Sequence, residues 1–131
     1  MPEIEDIKII VIDPGHGGNN LGLTYGGYTE SGMTPVTAQA MKEELEKYDN
    51  VKVYITNENG ADMSLAQRAE FAKSVEADVL ISLHFNMSEN HTLYGSEIWV
   101  PAEGTEYARM RSLGDVLLGE FQTAGLTSRG V

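Results

Sequence analysis

The chain has 131 residues, enough for one domain over residues 1–131 with a core of its own. With 41% apolar and 22% charged residues, its composition is that of an ordinary globular protein and argues against disorder. It carries 9 basic against 20 acidic residues, a net charge of −11 that argues against binding to nucleic acid or to anionic lipid. Cysteine is absent, so neither a disulfide nor a thiolate metal site is available.

The N-terminal stretch MPEIEDIKII is acidic and has no long apolar region, so we expect no signal peptide. No apolar run approaches the roughly 20 residues of a transmembrane helix. We therefore expect no membrane insertion, and the composition alone sets neither a compartment nor an oligomeric state.

The first part of the chain alternates between strand and helix patterns. Residues 7–13 (IKIIVID) are a run of β-branched residues before a Pro-Gly turn, which predicts a buried strand. Residues 19–32 are rich in Gly and Asn and predict a loop. A helix over about residues 35–48, with Pro35 in its first turn, is then predicted by the spacing of four residues: Ala38, Met41, Leu45 and Tyr48.

The middle of the chain repeats this alternation. Residues 51–56 (VKVYIT) alternate between apolar and polar, which predicts a strand with one buried face. Ser64 and Gln67 form a capping box, and the helix that follows is expected to face the core with Leu65, Ala69, Ala72 and Val75. Residues 78–84 (DVLISLH) predict a third strand, also buried.

The last part of the chain predicts one weak strand and one long helix. The strand covers residues 95–100 (GSEIWV), and the helix ends at Gly125 and has an apolar face made of Tyr107, Met110, Leu113, Leu117 and Phe121. The order of elements predicts an α/β fold, a mostly parallel twisted sheet with helices on both faces. In such sheets a site lies at the C-terminal ends of the strands, where the strand order switches.

Two histidines follow predicted strands at their C-terminal ends. His16 comes after the first strand, within DPGHGG, and His84 ends the third, while Glu30 lies just before the first predicted helix. Two imidazoles and one carboxylate are the donor set of a catalytic zinc site with an open position. Asp13 and Asn86 are candidates for hydrogen bonds that orient these ligands.

Two other interpretations of the same residues remain open. A histidine after a strand is often an ordinary hydrogen-bonded side chain, and His91 in the polar stretch SENHT is expected to be a solvated loop residue. A Gly-rich turn could instead bind phosphate. Against phosphate binding, a long loop delays the next helix and no P-loop Lys-Ser/Thr follows.

Four segments together resemble a known family. They are VIDPGHGGNNLG, YTESG before a helix, SLAQRAEFAKSVEADVLISLHFN and the closing GLTSRGV. In this order and spacing they are similar to the zinc-dependent N-acetylmuramoyl-L-alanine amidases of bacterial autolysins and phage endolysins. The resemblance extends from about Ile9 to Val131, essentially the whole chain.

The resemblance implies that His16, Glu30 and His84 are zinc ligands. It also implies hydrolysis of the amide between N-acetylmuramic acid and the L-alanine of the peptidoglycan stem, in which zinc activates water for attack on the carbonyl. Arg129, in the closing Arg-Gly-Val, is a further candidate for orienting the ligands or binding the substrate. The implied location is the cell wall, outside the cell or in the periplasm.

One part of the family pattern is expected beyond Val131. There the family has a strand with a second glutamate, the general acid/base, followed by a helix. Without that strand we expect an unpaired sheet edge, and without that glutamate a catalytically inert module that binds peptidoglycan or a regulator remains the alternative to an amidase. Glu97 and Glu103 could substitute, but each is expected to be a solvated surface charge.

Overall fold

The computed structural model describes residues 6–86 and 95–131. Within it the chain forms two compact parts, Met1–Asn86 and Met87–Val131. None of the helices in the described ranges is long and apolar enough to cross a bilayer.

The first part is built on a three-stranded parallel sheet. Its elements are β1 (Lys8–Pro14), β2 (Thr24–Tyr25), β3 (Tyr28–Thr29), α1 (Glu30–Leu45), β4 (Val51–Ile55), α2 (Leu65–Ser74) and β5 (Val79–Leu83). The three longer strands pair in the order β4-β1-β5, and both pairings are parallel. This confirms the predicted α/β class with a parallel sheet, and β2 and β3 add a short antiparallel hairpin.

The core lies between α1 and the strands β1 and β4. Ile12, Val53, Ile55 and Ala38 are buried there, and Met41 and Leu45 pack against them. The β-branched residues come from β1 and β4, and the helix contributes one face at helical spacing. Tyr48, the fourth residue predicted for that face, is instead exposed beyond the end of the helix.

The first helix begins at Glu30, earlier than predicted. The Thr29 side chain accepts a hydrogen bond from the Gly32 N–H, and the N–H groups of Glu30 and Ser31 donate to carbonyls of the preceding loop. Pro35 therefore lies inside the helix and not in its first turn. Proline is most favoured in the first turn of a helix, and for this reason the sequence predicts a start near Pro35. Here the preceding loop accepts hydrogen bonds from the first N–H groups, so the helix begins five residues earlier.

The second helix has the predicted capping box, with Ser64 and Gln67 bonded reciprocally. Its buried face differs from the prediction, because Leu65 is 86% exposed and Ala69 is also exposed. The buried residues are Arg68 and Ala72. The reason is electrostatic, since the Arg68 side chain reaches inward to the carboxylate of Asp13.

The second part contains one long helix. This is α3 (Tyr107–Thr123), and the predicted stop at Gly125 has the left-handed backbone (φ 94°) that favours glycine there. The prediction of a regular strand over residues 95–100 is wrong, because that segment forms an isolated parallel bridge between Ser96 and Ser128 and no regular strand. The pairing is short: the N–H groups of Ser96 and Ile98 donate to the carbonyls of Thr127 and Gly130, and the Arg129 N–H donates to the Ser96 carbonyl.

Candidate metal centre

Two neighbouring parallel strands bring the two histidines to one edge of the sheet. His16 lies two residues beyond β1, and His84 directly follows β5. β1 is the central strand, with β4 on one side and β5 on the other. Because the chain leaves β1 toward one side and later crosses to the other, the strand order switches between β1 and β5. Sites of open α/β sheets form at such a point.

The structure brings His16, Glu30 and His84 together. His16 Nε2 lies 3.1 Å from Glu30 Oε2, and His84 Nδ1 lies 3.0 Å from Glu30 Oε1. The two imidazole rings are nearly perpendicular, with centroids 5.2 Å apart. One ligand atom from each residue lies within 4.8 Å of the others. Glu30 thus stands between the two histidines and faces one with each carboxylate oxygen.

Glu30 is held by the backbone on both sides. Its side chain is only 3% exposed; the Leu23 N–H donates to Oε2 and the Phe85 N–H to Oε1, each at 3.0 Å. Burial alone would raise the pKa of this carboxyl, but the two N–H donors and the adjacent His84 and His16 outweigh it and hold the pKa below its usual value. The carboxylate is therefore charged at neutral pH.

The turn that carries His16 is fixed through its main chain. His16 has a left-handed backbone (φ 68°), an uncommon conformation for a residue other than glycine. Its carbonyl accepts hydrogen bonds from Asn57 Nδ2 at 2.9 Å and from Arg68 Nη2 at 3.1 Å. These two donors stabilise the backbone conformation that directs the imidazole toward Glu30.

Two glycines make room for the imidazole rings. A Cβ at Gly15 would lie 2.6 Å from His84 Nδ1, and a Cβ at Gly22 would lie 2.5 Å from His16 Cδ2. Real Cβ atoms do not come this close to other heavy atoms. The loop can therefore approach the site closely only because these two positions carry no side chain.

Asp13 and Asn86, the candidates for hydrogen bonds that orient the ligands, lie at different places near the site. The Asp13 carboxylate accepts hydrogen bonds from Arg68, Thr56 and Ser82, and none of these donors is a histidine. Asp13 instead lies beneath the turn and is bonded to the residue that holds the His16 carbonyl. Asn86 lies three residues beyond the end of β5 and is exposed.

The remaining candidates lie elsewhere in the chain. Arg129 forms an ion pair with Glu97 at 3.4 Å within the second part. Glu103 is exposed. His91 is outside the described residues.

Three residues near His16 were missed by the sequence reasoning: Asn20, Asp62 and Arg68. Asn20 Oδ1 lies 3.1 Å from His16 Nδ1, and Asp62 contacts both Asn20 and Arg68. Arg68 did leave a signal in the sequence, because it shares a helical face with Ala72 and is a cation at a core-facing position. For Asn20 no such signal exists, since Asn19 beside it has the same chemistry.

The donor set fits a zinc ion. Two imidazole nitrogens and a carboxylate oxygen are the protein ligands of catalytic zinc sites, which keep a fourth position for water or substrate. In the described ranges, no fourth His, Asp or Glu joins this group. His84 is 48% exposed and His16 is 25% exposed, so the open side of the group is accessible to solvent.

Comparison with known proteins points to one family. The profile of the N-acetylmuramoyl-L-alanine amidase family matches residues 10–131. The chain is 40% identical over 78 residues to the N-acetylmuramoyl-L-alanine amidase CwlM of Bacillus licheniformis; the match covers 59% of this chain and 31% of that protein. The chain thus spans about a third of the length of this curated relative.

Solved structures show the same similarity. The catalytic domain of the amidase CwlV from Paenibacillus polymyxa superposes with a TM-score of 0.82 at 26% identity. An N-acetylmuramoyl-L-alanine amidase from Clostridium difficile 630 superposes with a TM-score of 0.84 at 25% identity. Each match covers 95% of this chain and 68% of the other.

Proposed function

The chain belongs to the N-acetylmuramoyl-L-alanine amidase family, and we propose that it hydrolyses the amide bond between N-acetylmuramic acid and L-alanine in peptidoglycan. His16, Glu30 and His84 would hold the zinc ion on which this reaction depends. The observation that carries the proposal is their convergence, within 4.8 Å, at the switch point of a parallel sheet. The cell wall, where the substrate lies, is the proposed place of action.

When bound, zinc supplies a Lewis acid that polarises the scissile carbonyl and activates water for attack on it. The chain's own residues prepare this chemistry. Glu30 stays ionised because its pKa is lowered, so it offers a negative charge to a cation at neutral pH. The N–H groups of Leu23 and Phe85 fix the direction of its two oxygens. No reorganisation of the carboxylate is then needed when the cation binds.

The accessible side of the site belongs to His84 and its neighbour. His84 is about half exposed, and Phe85 beside it is also exposed. A peptide carbonyl can approach the site from this side, and the Phe85 ring offers an apolar contact to other parts of the substrate. Cleavage also needs a proton at the departing alanine nitrogen, and the family resemblance assigns that task to a glutamate after the Arg-Gly-Val segment.

The proposal is tested first by metal content. Zinc is measured by mass spectrometry after gel filtration for the wild-type chain, for His84→Ala and for the control Tyr48→Ala, whose side chain is exposed beyond α1. We expect one zinc per chain in the wild type and the control, and none in His84→Ala. The proposed ligand set is contradicted if all three proteins contain the same amount of zinc or if none of them contains zinc.

Turnover is tested on the same samples. The zinc-loaded chain is incubated with purified peptidoglycan, and new alanine amino groups are counted by end-group labelling. We expect the wild type and the control to release more of them than His84→Ala does. A zinc-loaded chain that binds muropeptide yet releases no alanine amino group would replace the amidase with a non-catalytic binding module.

A further inference from the structure

A chain of hydrogen bonds leads away from the far side of the His16 ring. His16 Nδ1 lies 3.1 Å from Asn20 Oδ1. Asn20 Nδ2 donates to Asp62 Oδ2 at 3.3 Å, and Arg68 Nη2 donates to Asp62 Oδ1 at 3.3 Å. Arg68 is itself buried and bonded to Asp13 beneath the turn. The ring is thus connected to a buried arginine through two side chains.

The chemistry of these groups fixes the direction of every bond. A guanidinium can only donate and an ionised carboxylate can only accept. Asp62 therefore receives one hydrogen bond from Arg68 and another from the amide nitrogen of Asn20. The amide oxygen of Asn20 is left facing His16. Since an amide oxygen only accepts, the hydrogen bond between His16 and Asn20 forms only when the imidazole proton is on Nδ1.

We propose that Asn20 is a positioning residue that selects the Nδ1–H tautomer of His16, and that Asp62 sets the orientation of the Asn20 amide. Only this tautomer leaves the Nε2 lone pair free on the side of Glu30, 3.1 Å from Oε2. The inference rests on the proposed function, because it takes His16 as a metal ligand. It gives the orienting role to Asn20, whereas the sequence offers Asp13, Asn86 and Arg129 as candidates.

The arrangement on the other side of the ring agrees with this role. With the proton on Nδ1, His16 Nε2 and Glu30 Oε2 are two acceptors facing each other. Two acceptors at this distance repel unless a cation or a proton lies between them. The tautomer selected by Asn20 therefore prepares a site for a cation, and a ring with its proton on Nε2 would not.

The substitution that tests this role is Asn20→Leu, which is close in size and removes the amide. Asn20 is exposed, and its N–H and C=O bonds to Gly17 come from the main chain, so the turn keeps its backbone pairing. Asn19→Leu is the matched control, since Asn19 is an exposed neighbour of identical chemistry. Loss of a group that orients a metal-binding histidine typically costs about 10–100-fold in metal affinity.

Two readouts are needed. The first is the imidazole ¹⁵N NMR spectrum of the metal-free chain at about pH 8, above the pKa of an ordinary imidazole, where the shifts distinguish the two tautomers. The second is zinc affinity by competition with a chromophoric chelator. We expect wild type and Asn19→Leu to have His16 protonated on Nδ1, and Asn20→Leu to lose this preference and about 10-fold or more in affinity.

An exchanged pair tests the part played by Asp62. In Asn20→Asp with Asp62→Asn, a carboxylate at position 20 accepts from His16 Nδ1 and from the new amide nitrogen, whose oxygen accepts from Arg68. We expect this double variant to restore the Nδ1–H tautomer and the zinc affinity. The single variant Asn20→Asp puts a second carboxylate beside Asp62, whose Oδ2 lies 3.3 Å from Asn20 Nδ2 in the wild type, and the repulsion between them should leave its zinc affinity below that of the double variant.

Two results would overturn the proposal. One is a wild-type His16 protonated on Nε2 in the metal-free chain, and the other is an Asn20→Leu variant with unchanged tautomer or unchanged zinc affinity. Absence of zinc binding by the wild-type chain would overturn the proposed metal centre instead. In that case the NMR comparison still decides whether Asn20 selects the tautomer.

Discussion

Replacing Arg68 by methionine removes the cation on which the His16 turn is built. The guanidinium donates to the Asp13 carboxylate and to the carbonyls of Pro14, His16 and Met63. Methionine is similar in length and fills the space, but it offers no donor. The variant therefore isolates the loss of charge and hydrogen bonds from the loss of volume.

The expected cost follows from burial. The side chains of Arg68 and Asp13 are 6% and 5% exposed, so methionine leaves a buried carboxylate whose remaining side-chain donors in the described residues are the hydroxyls of Thr56 and Ser82. Removing one partner of a buried ion pair typically costs about 3–5 kcal/mol. Small domains have a free energy of unfolding of about 5–15 kcal/mol, so the loss is a large share of the total.

The measurement is urea unfolding followed by circular dichroism, with chelator present so that metal binding does not shift the midpoint. The control is Arg109→Met, whose partner Glu106 is exposed on the surface, and we expect it to lose about 0–1 kcal/mol. Adding Asp13→Asn to Arg68→Met removes the orphaned charge and should recover about 1–3 kcal/mol. An Arg68→Met variant as stable as the control would refute the reasoning.

Three further predictions concern the site and one helix. In the metal-free chain, the lowered pKa of Glu30 stabilises the fold at pH values above 4.5, the ordinary pKa of this side chain. This stabilisation is lost as the pH falls through the pKa that Glu30 has in the folded state. Acid unfolding of Glu30→Gln should therefore lack that loss; an acid profile identical to the wild type's would contradict it. Gly22→Ala puts a methyl 2.6 Å from the Glu30 carboxylate and should lower zinc affinity, measured by chelator competition, whereas Gly27→Ala, with similar backbone and open space, should not. Ser64→Ala removes the capping box and should cost about 1 kcal/mol in urea unfolding, and no measurable loss would show the cap to be unimportant.

Most of the sheet could be predicted from the sequence because its signals are local. Runs of β-branched residues mark the three long strands, and the parallel order follows from the helices between them. The meeting of His16 and His84 follows from the same reasoning, since both leave neighbouring strands at the same edge. The capping box at Ser64 can likewise be predicted, because it depends on four consecutive residues.

The parts that could not be predicted depend on partners far along the chain. The start of α1 at Glu30 relies on carbonyls of the loop before it. Arg68 turns inward for Asp13, 55 residues away, so a helical face that reads as apolar contains a cation. Asn20 acquires its role only through Asp62, 42 residues away. Propensity and periodicity describe neighbours in sequence and carry no information about such contacts.

The order β4-β1-β5 also determines at which stage of folding His16, Glu30 and His84 come together. His16 and Glu30 belong to nearby loop and helix segments, but His84 arrives only when β5 pairs with β1, and Glu30 and His84 are 54 residues apart. Contacts of such long range close late, because the entropy of a large loop must be overcome first. A metal ion held by all three residues would therefore bind only after β5 has paired with β1, and its binding would then stabilise that pairing.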